Sequence, residues 1–378
     1  MSGARLAALA RKEMIQIWRD RRSLWIALFM PIMQMGLIGY GASLDIKHVP
    51  VCVSDREGSQ ASQDLLKRFQ ASAYFELVGN VADDRALTAA IDAGRCRIGL
   101  VVPPDFSERL RDAGGATLQA VVDGTDDNSA NVAIAYARAV VSGYSADVRL
   151  DFLRQRGLAG QATAPLGVEP RVWFNEDLES RAFIIPGVVA MVMALIGALL
   201  SSLTIAREWE RGTMELLIST PVRPLEIMLG KLLPYFGIGL LDAVLCAAIA
   251  VGWFGIPFRG TLAMLFSTAA LFLIVVLGVG YIISVLTRNQ LGASQIALLV
   301  TLLPTTLLSG FAFPIDQMPV PIRLLTYLVY GRYYVTILKA IFLKGAGPQA
   351  LAAPILALVA YAAAIGVLAA RAFRKRLV

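Results

Sequence analysis

Histidine and cysteine, the residues that most often build metal sites, are scarce in this chain. The 378 residues include 1 histidine and 3 cysteines. His48 has no cysteine or carboxylate at ligand spacing beside it, so we expect no metal site. The sequence also lacks a G-x-x-x-x-G-K-[ST] phosphate loop, since Gly230 and Lys231 have neither the upstream glycine nor the following hydroxyl. We therefore expect no cofactor on this chain, and any nucleotide chemistry must occur on another chain.

Catalytic and nucleic-acid-binding patterns are missing as well. Neither the G-x-S-x-G pattern of serine hydrolases nor the catalytic-loop pattern of protein kinases occurs. The net charge is +7, but the basic residues are spread over positions that flank apolar runs. No basic motif interleaved with aromatic residues is found. We expect the chain by itself to be no enzyme and to have no nucleic-acid partner.

Charged residues make up only 17% of the chain, against 57% hydrophobic residues and a mean hydropathy of +0.63. This composition is too apolar for a soluble protein of this length. A helix needs roughly 20 apolar residues to cross a hydrocarbon core about 30 Å thick. Six runs satisfy this requirement, the third of them interrupted only by Asp242, and they predict six transmembrane helices: Ser23–Leu44, Ala182–Ala206, Leu232–Phe258, Gly260–Thr287, Asn289–Ile315 and Gly345–Ala370.

Lysine and arginine collect beside the ends of these runs that lie on one side of the membrane. Basic residues near spans favour the cytoplasmic side, so both termini are expected in the cytoplasm. One segment conflicts with this orientation, since it holds Arg323, Arg332, Lys339 and Lys344 against Asp316 alone. The residues that set the orientation are Arg5, Arg11, Lys12, Arg19, Arg21, Arg22, Arg207, Arg211, Arg223, Lys231, Arg288, Arg371, Arg374, Lys375 and Arg376.

The polar stretch between the first two spans alternates between strand-like and helix-like segments, which predicts a folded α/β domain outside the membrane. The expected strands are Val49–Val53, Ile98–Val102, Leu118–Val122 and Val168–Phe174, and the expected helices are Gln60–Gln70, Asp83–Ala93 and Asn128–Arg156. Cys52 and Cys96 lie in this domain and Cys246 lies in a span. A disulfide between the first two is an open alternative, but two separate buried thiols are the expectation.

The fold class is thus an α-helical polytopic membrane protein with an inserted α/β extracytoplasmic domain. Its leader carries apolar residues at helical spacing, with basic residues between them. It either lies in the cytoplasmic interface or is an ordinary basic flank. The predicted segments are a leader at 1–22, spans at 23–44, 182–206, 228–256, 260–287, 289–313 and 348–370, the α/β domain at 45–181, an elbow at 207–227, an external hairpin at 314–345 and a basic tail at 371–378.

The elbow is the polar stretch between the second and third spans. Gly212 is expected to weaken the helix that continues from the second span. Thr213 suits the N-cap of a short helix, which has to end near Pro221, and Pro224 suits the first turn of the third span. Charged residues are expected on the exposed face and apolar residues toward the membrane core. The expected exposed set is Glu208, Glu210, Arg211 and Glu215, and the expected core set is Met214, Leu216, Leu217 and Ile218.

Two motifs resemble those of the membrane subunits of ABC exporters, specifically the type-2 permease class with a large external domain between the first two spans. The segment Leu307–Gly345 resembles the final external hairpin of that family, but Val329–Gly331 departs from it where many relatives have a proline. The predicted topology also matches this class, so the resemblance covers the whole chain. The first motif comprises Glu208, Arg211, Gly212, Thr213, Glu215, Leu217, Thr220, Pro221, Glu226, Gly230 and Lys231, and the second comprises Phe313, Pro314, Met318, Pro319 and Tyr333.

The resemblance implies a permease of the bacterial inner membrane that exports drugs or other amphiphiles by alternating access. Its expected partners are ATP-binding-cassette subunits that bind ATP and Mg, a second permease copy in a homodimer or a paralogous heterodimer, a periplasmic adaptor protein and membrane lipids. Export of a lipid or glycan is the alternative, and a membrane receptor with an external ligand-binding domain is an alternative from another class. The coupling surface implied for the ATPase subunits comprises Glu208, Glu210, Arg211, Gly212, Thr213 and Glu215.

Two further sets of residues are candidates for the transport path. Asp242 is an ionisable group inside a span, where such residues are costly and frequently functional. It is a candidate for the pathway, although it could equally be protonated or bonded to a neighbouring helix. Prolines are too dense after the fifth span for a continuing helix. We therefore expect short re-entrant helices there, with Phe313, Pro314, Met318 and Pro319 as a candidate outer gate.

Overall fold

The computed structural model describes residues 2–41, 48–111, 115–125, 127–155 and 180–372. The chain divides into two compact units, a membrane unit made of Met1–Ser43 and Arg171–Val378 and an inserted unit, Leu44–Pro170. The predicted strand Val168–Phe174 and the basic residues after position 372 lie outside the described residues.

Within its described residues, the membrane unit contains six helices that are long and apolar enough to cross a membrane, as the sequence predicts. They are α2 (Arg21–Gly41), α7 (Ser180–Glu210), α9 (Pro224–Gly252), α10 (Leu262–Thr287), α11 (Gln290–Leu308) and α14 (Ala352–Ala372). Four further helices belong to the same unit, namely α1 (Gly3–Arg19), α8 (Met214–Ser219), α12 (Val320–Leu325) and α13 (Tyr330–Lys339).

Helix α7 lies at the centre of the membrane unit and is buried on nearly all sides. It packs closely on α10, where Gly280 leaves no room for a side chain, since a Cβ atom there would lie 1.9 Å from Ser201 Oγ. Ser284 of α10 accepts hydrogen bonds from the backbone N–H groups of Ile205 and Ala206, at 3.0 and 2.9 Å. The elbow therefore begins on a helix whose position is fixed by close packing.

Some spans end at other residues than predicted. Helix α11 ends at Leu308 rather than near 313, and Gly310 then adopts a left-handed conformation with φ of 80°. Helix α9 begins at Pro224, which was predicted to form its first turn, whereas α14 begins at Ala352 rather than 348. The bounds of these spans were predicted from the absence of charged residues. Uncharged residues in a turn also meet that criterion, so the predicted spans include turn residues beyond the helix ends.

The basic residues of the segment after α11 are used partly within the protein. Lys339 donates a hydrogen bond to the Gly310 carbonyl at 2.8 Å, and its Nζ lies 3.2 Å from the centroid of the Phe183 ring. Arg332 stacks over the Tyr327 ring at 3.8 Å and donates to the Thr326 hydroxyl. Lys339 and Arg332 therefore contribute to packing, and they are two of the four cations that conflicted with the orientation rule.

The inserted unit is built on a four-stranded sheet with the strand order β2-β1-β3-β4. Strand β1 pairs in parallel with β2 and β3, and β4 is antiparallel to β3. The strands are β1 (Val49–Asp55), β2 (Phe75–Asn80), β3 (Ile98–Val102) and β4 (Gln119–Val122). The helices are α3 (Gln60–Ala71), α4 (Asp84–Asp92), α5 (Phe106–Arg111) and α6 (Asp127–Gln155).

The sequence prediction of this unit missed β2 and the short helix α5. Strand β2 is an edge strand, and only its first residue, Phe75, is fully buried. It has no continuous β-branched run, because an edge strand with solvent on one side requires few apolar side chains. The three predicted strands that lie within the described residues are present as β1, β3 and β4, and the three predicted helices are present as α3, α4 and α6.

The expectation of two separate thiols in this unit is wrong, since Cys52 and Cys96 form a disulfide. Their Cα atoms are 5.7 Å apart, within the range that a disulfide requires. Cys52 lies on β1, and Cys96 lies two residues before the start of β3, the strand that pairs in parallel with β1. The sequence separation of 44 residues carries no information about this register, so the pairing could not be derived from spacing.

Thiol labelling of the denatured chain tests this disulfide. One thiol is expected to react without reductant and three with it, because Cys246 is the free cysteine among the 3 cysteines. A Cys246→Ser variant serves as the control and should give no reactive thiol until reductant is added. Three reactive thiols in unreduced chain, purified with free thiols blocked at lysis, would contradict the pairing.

Candidate coupling site at the elbow

The elbow begins where α7 ends, and Gly212 makes the turn. Gly212 has φ of 67°, a left-handed conformation that side chains other than glycine and asparagine disfavour. Its backbone N–H donates to the Trp209 carbonyl at 3.1 Å, and the Arg211 N–H donates to the Arg207 carbonyl at 3.1 Å. These bonds close the last turn of α7, so the direction in which the chain leaves the helix depends on Gly212.

The short helix α8 and the start of α9 complete the elbow as the sequence predicts. Thr213 is the N-cap residue of α8, but its side chain makes no capping bond, because its hydroxyl donates to the Glu208 carboxylate instead. Helix α9 begins at Pro224. Glu226 accepts the backbone N–H of Arg223 at 2.9 Å and that of Ser2 at 2.8 Å, and it thereby ties the N-terminus of the chain to α9.

Beneath the elbow lies a buried ionic network centred on Lys231. The Lys231 ammonium donates to Glu208 Oε1 at 2.9 Å, to Glu13 Oε2 at 3.1 Å and to the Thr204 carbonyl at 3.3 Å. The side chains of Lys231 and Glu13 are each 2% exposed, and that of Glu208 is 4% exposed. Three helices, α1, α7 and α9, thus meet at one ammonium group.

Two further side chains complete this network. Lys12 donates to Glu208 Oε1 at 3.0 Å from a half-exposed position at the edge, and Tyr235 donates to Glu13 Oε1 at 3.3 Å. Two carboxylates and two ammonium groups therefore meet, and their formal charges cancel. A buried charge is tolerated when it is paired and its hydrogen bonds are made, and both conditions hold here. We call the five residues Lys12, Glu13, Glu208, Lys231 and Tyr235 the buried network.

Glu208 was predicted to lie on the exposed face, and the structure corrects this: it is 3% exposed as a residue. The sequence also gave Glu13 no role, although a signal was present. Glu13 lies four residues from both Leu9 and Ile17, so it shares the apolar face of α1 with them. A carboxylate in that position needs a cation from a packed partner helix. The cation comes from Lys231, 218 residues away in the sequence.

The remaining predicted coupling residues are exposed or half-buried. Glu210, Arg211, Gly212 and Glu215 are exposed, and Thr213 is half-buried. Glu210 accepts the backbone N–H of Gln290 at 2.7 Å and thus binds the first turn of α11. Among the residues that the structure describes, the side chains of Arg211 and Glu215 have no hydrogen-bond or ion-pair partner.

The apolar side of α8 is narrower than predicted. Met214 and Leu217 are buried, at 1% and 7% exposure, and they pack with Ile205 and Ile227. Leu216 is 69% exposed, so the prediction that it faces the core is wrong. A helix of only six residues buries one stripe, and positions 214 and 217 already occupy it. The exposed elbow surface is therefore formed by Arg211, Gly212, Glu215 and Leu216.

The candidate outer-gate residues lie on the segment after α11. Pro314 precedes a short 3-10 helix, Ile315–Gln317, and Pro319 precedes α12. Phe313, Pro314 and Pro319 are exposed, and Met318 is half-buried. Phe311, rather than Phe313, packs against α7. It is 6% exposed, and a Cβ atom at Gly187 would lie 2.3 Å from its ring. Phe311 was not predicted, since one phenylalanine in an apolar run has no distinguishing signal.

Asp242 lies inside the helix packing of the membrane unit. It is 2% exposed, and the Cys246 thiol lies 3.6 Å from its Oδ1 atom. Its Oδ2 atom has no hydrogen-bond partner among the described residues. Asp242 therefore lines no open path in this conformation, and its role in transport stays a prediction.

A family model described as "ABC-2 family transporter protein" matches residues 21–371 of the chain. The match runs from α2 to α14 and includes the elbow, the inserted unit and the segment after α11. The chain belongs to the ABC-2 transporter family. This family assignment agrees with the resemblance that the elbow and hairpin motifs carry, and it makes the protein a multi-pass permease component of an ABC transporter, which works with ATP-binding-cassette subunits.

Three relatives from Escherichia coli K12 align with this ABC-2 permease over nearly its whole length. The chain is 40% identical to "Probable multidrug ABC transporter permease YbhS" over 366 residues, which are 96% of this chain and 94% of the relative. It is 29% identical to "Probable multidrug ABC transporter permease YbhR" over 342 residues, 90% of each chain. It is 25% identical to "Inner membrane transport permease YhhJ" over 374 residues, 97% of this chain and 96% of the relative.

In this ABC-2 permease, Asp242→Asn is expected to leave transport close to that of the wild type. Asparagine has nearly the same volume and can still form hydrogen bonds, so the substitution removes only the ability to ionise. The enclosed position of Asp242 gives the charge no contact with an open path. Export measured in membrane vesicles checks this prediction. A large loss of export from a normally inserted variant would instead show that the ionisable carboxyl takes part in transport.

Proposed function

We propose that this protein is the permease subunit of an ATP-driven exporter that moves drugs or other amphiphilic compounds out across a bacterial inner membrane. Separate subunits would bind ATP and Mg and hydrolyse the ATP, and a second permease copy would complete the path. Two of the relatives are named as probable multidrug permeases, which supports this substrate class. The orientation rule supports cytoplasmic termini, which would place the elbow on the side where ATP is available.

The observation that carries the proposal is the buried network beneath an exposed elbow surface. A surface that transmits a force to the spans has to be held rigidly. Helix α8 has only six residues and is too short to be rigid by itself. The network ties the end of α7 to α9 and α1 through Lys231, and Glu210 ties the same end to α11. Movement of the elbow surface would therefore displace four helices together, which is the requirement for alternating access.

The exposed charges give the partner its point of contact. Arg211 and Glu215 have no partner among the described residues, and both signs are present within one short surface. Opposite charges on an ATPase subunit would fix the register of docking and speed association. The inserted unit would be the site at which a periplasmic adaptor binds, since β2 is an edge strand among the described strands and most of its residues are exposed, so that an added strand could pair with it.

Reconstitution with the ATPase subunit tests the proposal. ATP hydrolysis by the complex in proteoliposomes is expected to rise when an amphiphilic drug is added, and Arg211→Glu should reduce this stimulation several-fold. Arg149→Glu, the same reversal at an exposed position of α6 in the inserted unit, is the matched control and should leave it unchanged. Hydrolysis that no drug stimulates, but that a lipid or glycan substrate does, would overturn the substrate class.

A further inference from the structure

An open groove lies between α1 and α9 in the membrane unit, beside the buried network. Its volume is about 410 Å³, within the range of roughly 300–1,000 Å³ that is typical of small-molecule sites. On α9 the lining positions recur every four residues, as a helix face requires. The lining includes Arg11 and Met14 of α1 and Leu233, Gly237 and Leu241 of α9.

The walls of this groove are apolar and accessible. Leu233 and Leu241 are 53% and 55% exposed, and Met14 is 39% exposed. Gly237 lies between the two leucines, and a Cβ atom there would meet no other atom within 4 Å. Apolar side chains in such a position on a membrane-spanning helix are expected to contact acyl chains rather than water.

Among the described residues that line the groove, Arg11 on α1 is the one that carries a charge. Its guanidinium has no hydrogen-bond or ion-pair partner among the described residues, whereas the neighbouring Lys12 is bound to Glu208. The single carboxylate of α1, Glu13, is occupied by Lys231 and Tyr235. An unpaired cation therefore faces a groove with apolar walls, and no acidic group of α1 is available to neutralise it.

We propose that this groove is a binding site for one anionic phospholipid. Its phosphate would bind the Arg11 guanidinium, and one acyl chain would lie along Leu233, Gly237 and Leu241. An arginine and a phosphate form paired, charge-assisted hydrogen bonds, which favours an anionic headgroup. The apolar length of the groove favours a lipid over a free phosphate, since inorganic phosphate would use none of the apolar wall.

The position of the site gives it a consequence for the elbow. Arg11 and Met14 flank Lys12 and Glu13, the two residues through which α1 joins the buried network. A lipid held by α1 and α9 together would stabilise their packing and thereby the network. The inference does not depend on the proposed export function, because it concerns only what binds between two helices of this chain.

Lipid binding to the purified full-length chain tests the proposal, with phosphatidylglycerol and phosphatidylcholine as probes. Native mass spectrometry during a titration gives the apparent affinity for each lipid. We expect one tight phosphatidylglycerol per chain, and Arg11→Gln should weaken its binding about fivefold, the equivalent of one cation near an anionic surface. Arg19→Gln is the matched control, since Arg19 is also exposed on α1 but does not line the groove.

A second variant tests the groove itself. Gly237→Leu should fill the space and reduce the binding of both lipids at this site. The chain should still fold, because a Cβ atom at position 237 would meet no other atom within 4 Å and the rest of the side chain can extend into the open groove. The thermal unfolding midpoint in lipid-free detergent confirms that each variant is folded. Equal effects of Arg11→Gln and Arg19→Gln, unchanged phosphatidylglycerol binding in Gly237→Leu, or equal wild-type affinity for the two lipids would overturn the proposal.

Discussion

Lys231→Met is expected to abolish ATP-driven export and to destabilise the membrane unit. The substitution keeps much of the side-chain volume but removes the ammonium group that bonds Glu13 and Glu208. Both carboxylates would remain buried with only Lys12, at the edge, to compensate two negative charges. Removing one partner of a buried ion pair typically costs about 3–5 kcal/mol, a large part of a typical stability of about 5–15 kcal/mol.

The loss of export is expected to exceed the loss of folded protein. Without Lys231, α7 loses its hydrogen bonds to α9, and within the buried network α1 keeps only one bond to α9, that from Tyr235, so movement of the elbow would be transmitted poorly to the spans. Export per folded molecule should therefore fall at least tenfold, while the ATPase subunit still binds. Drug export from membrane vesicles, divided by the amount of monodisperse protein on size-exclusion chromatography, separates the two effects.

Two variants serve as controls for Lys231→Met. Lys12→Met removes an ammonium that is 45% exposed and should have a small effect, since water can replace it. Adding Glu13→Gln to Lys231→Met removes one uncompensated charge and should restore most of the folded protein, because the remaining Glu208 keeps Lys12. An equal loss of export in Lys12→Met and Lys231→Met would contradict the central place of Lys231.

Gly212→Pro is expected to abolish export while the chain still inserts in the membrane. Proline fixes φ near −65°, whereas Gly212 has φ of 67°, so the turn after α7 cannot form. The elbow surface would then leave α7 in another direction and lose its register with the ATPase subunit. Proline also removes the N–H that donates to the Trp209 carbonyl. Export assays together with the amount of protein in the membrane fraction measure both parts of the prediction.

The matched control is Gly212→Asn. Asparagine tolerates the left-handed conformation better than other residues with a side chain, and a Cβ atom at position 212 would meet nothing within 4 Å. We expect this variant to keep most of its export, and Gly212→Val to lose far more, since a β-branched residue disfavours that conformation. If Gly212→Val and Gly212→Asn reduce export equally, export does not depend on the left-handed backbone conformation at position 212.

The sequence predicted those features that local patterns determine. Six spans follow from apolar run length, and the bounds of α8 follow from Gly212, Thr213 and Pro221. The strands β1 and β3 are β-branched runs and were recognised as such. Each of these signals lies within a few residues of the element it determines, so one sequence is enough to find it.

The buried network and the disulfide could not be predicted in the same way. Glu208 was assigned to the exposed face because charged residues near a helix end usually face water. Its burial depends on α1 and α9, which supply Lys12 and Lys231 from distant parts of the chain. The pairing of Cys52 with Cys96 likewise depends on the β1–β3 register. Contacts between distant segments leave no local pattern, so the residues that support the elbow from α1 and α9 could not be predicted from the sequence.

Photo-crosslinking at the elbow surface tests most directly whether the elbow receives movement from an ATPase subunit. A photo-reactive amino acid at the position of Glu215 in the reconstituted complex is expected to crosslink to the ATPase subunit, with a yield that changes when ATP is bound. The same amino acid at Leu324 of α12, which is 63% exposed and lies outside the elbow, should give no such crosslink. Crosslinking at 324 but not at 215 would place the elbow away from the ATPase and contradict the account.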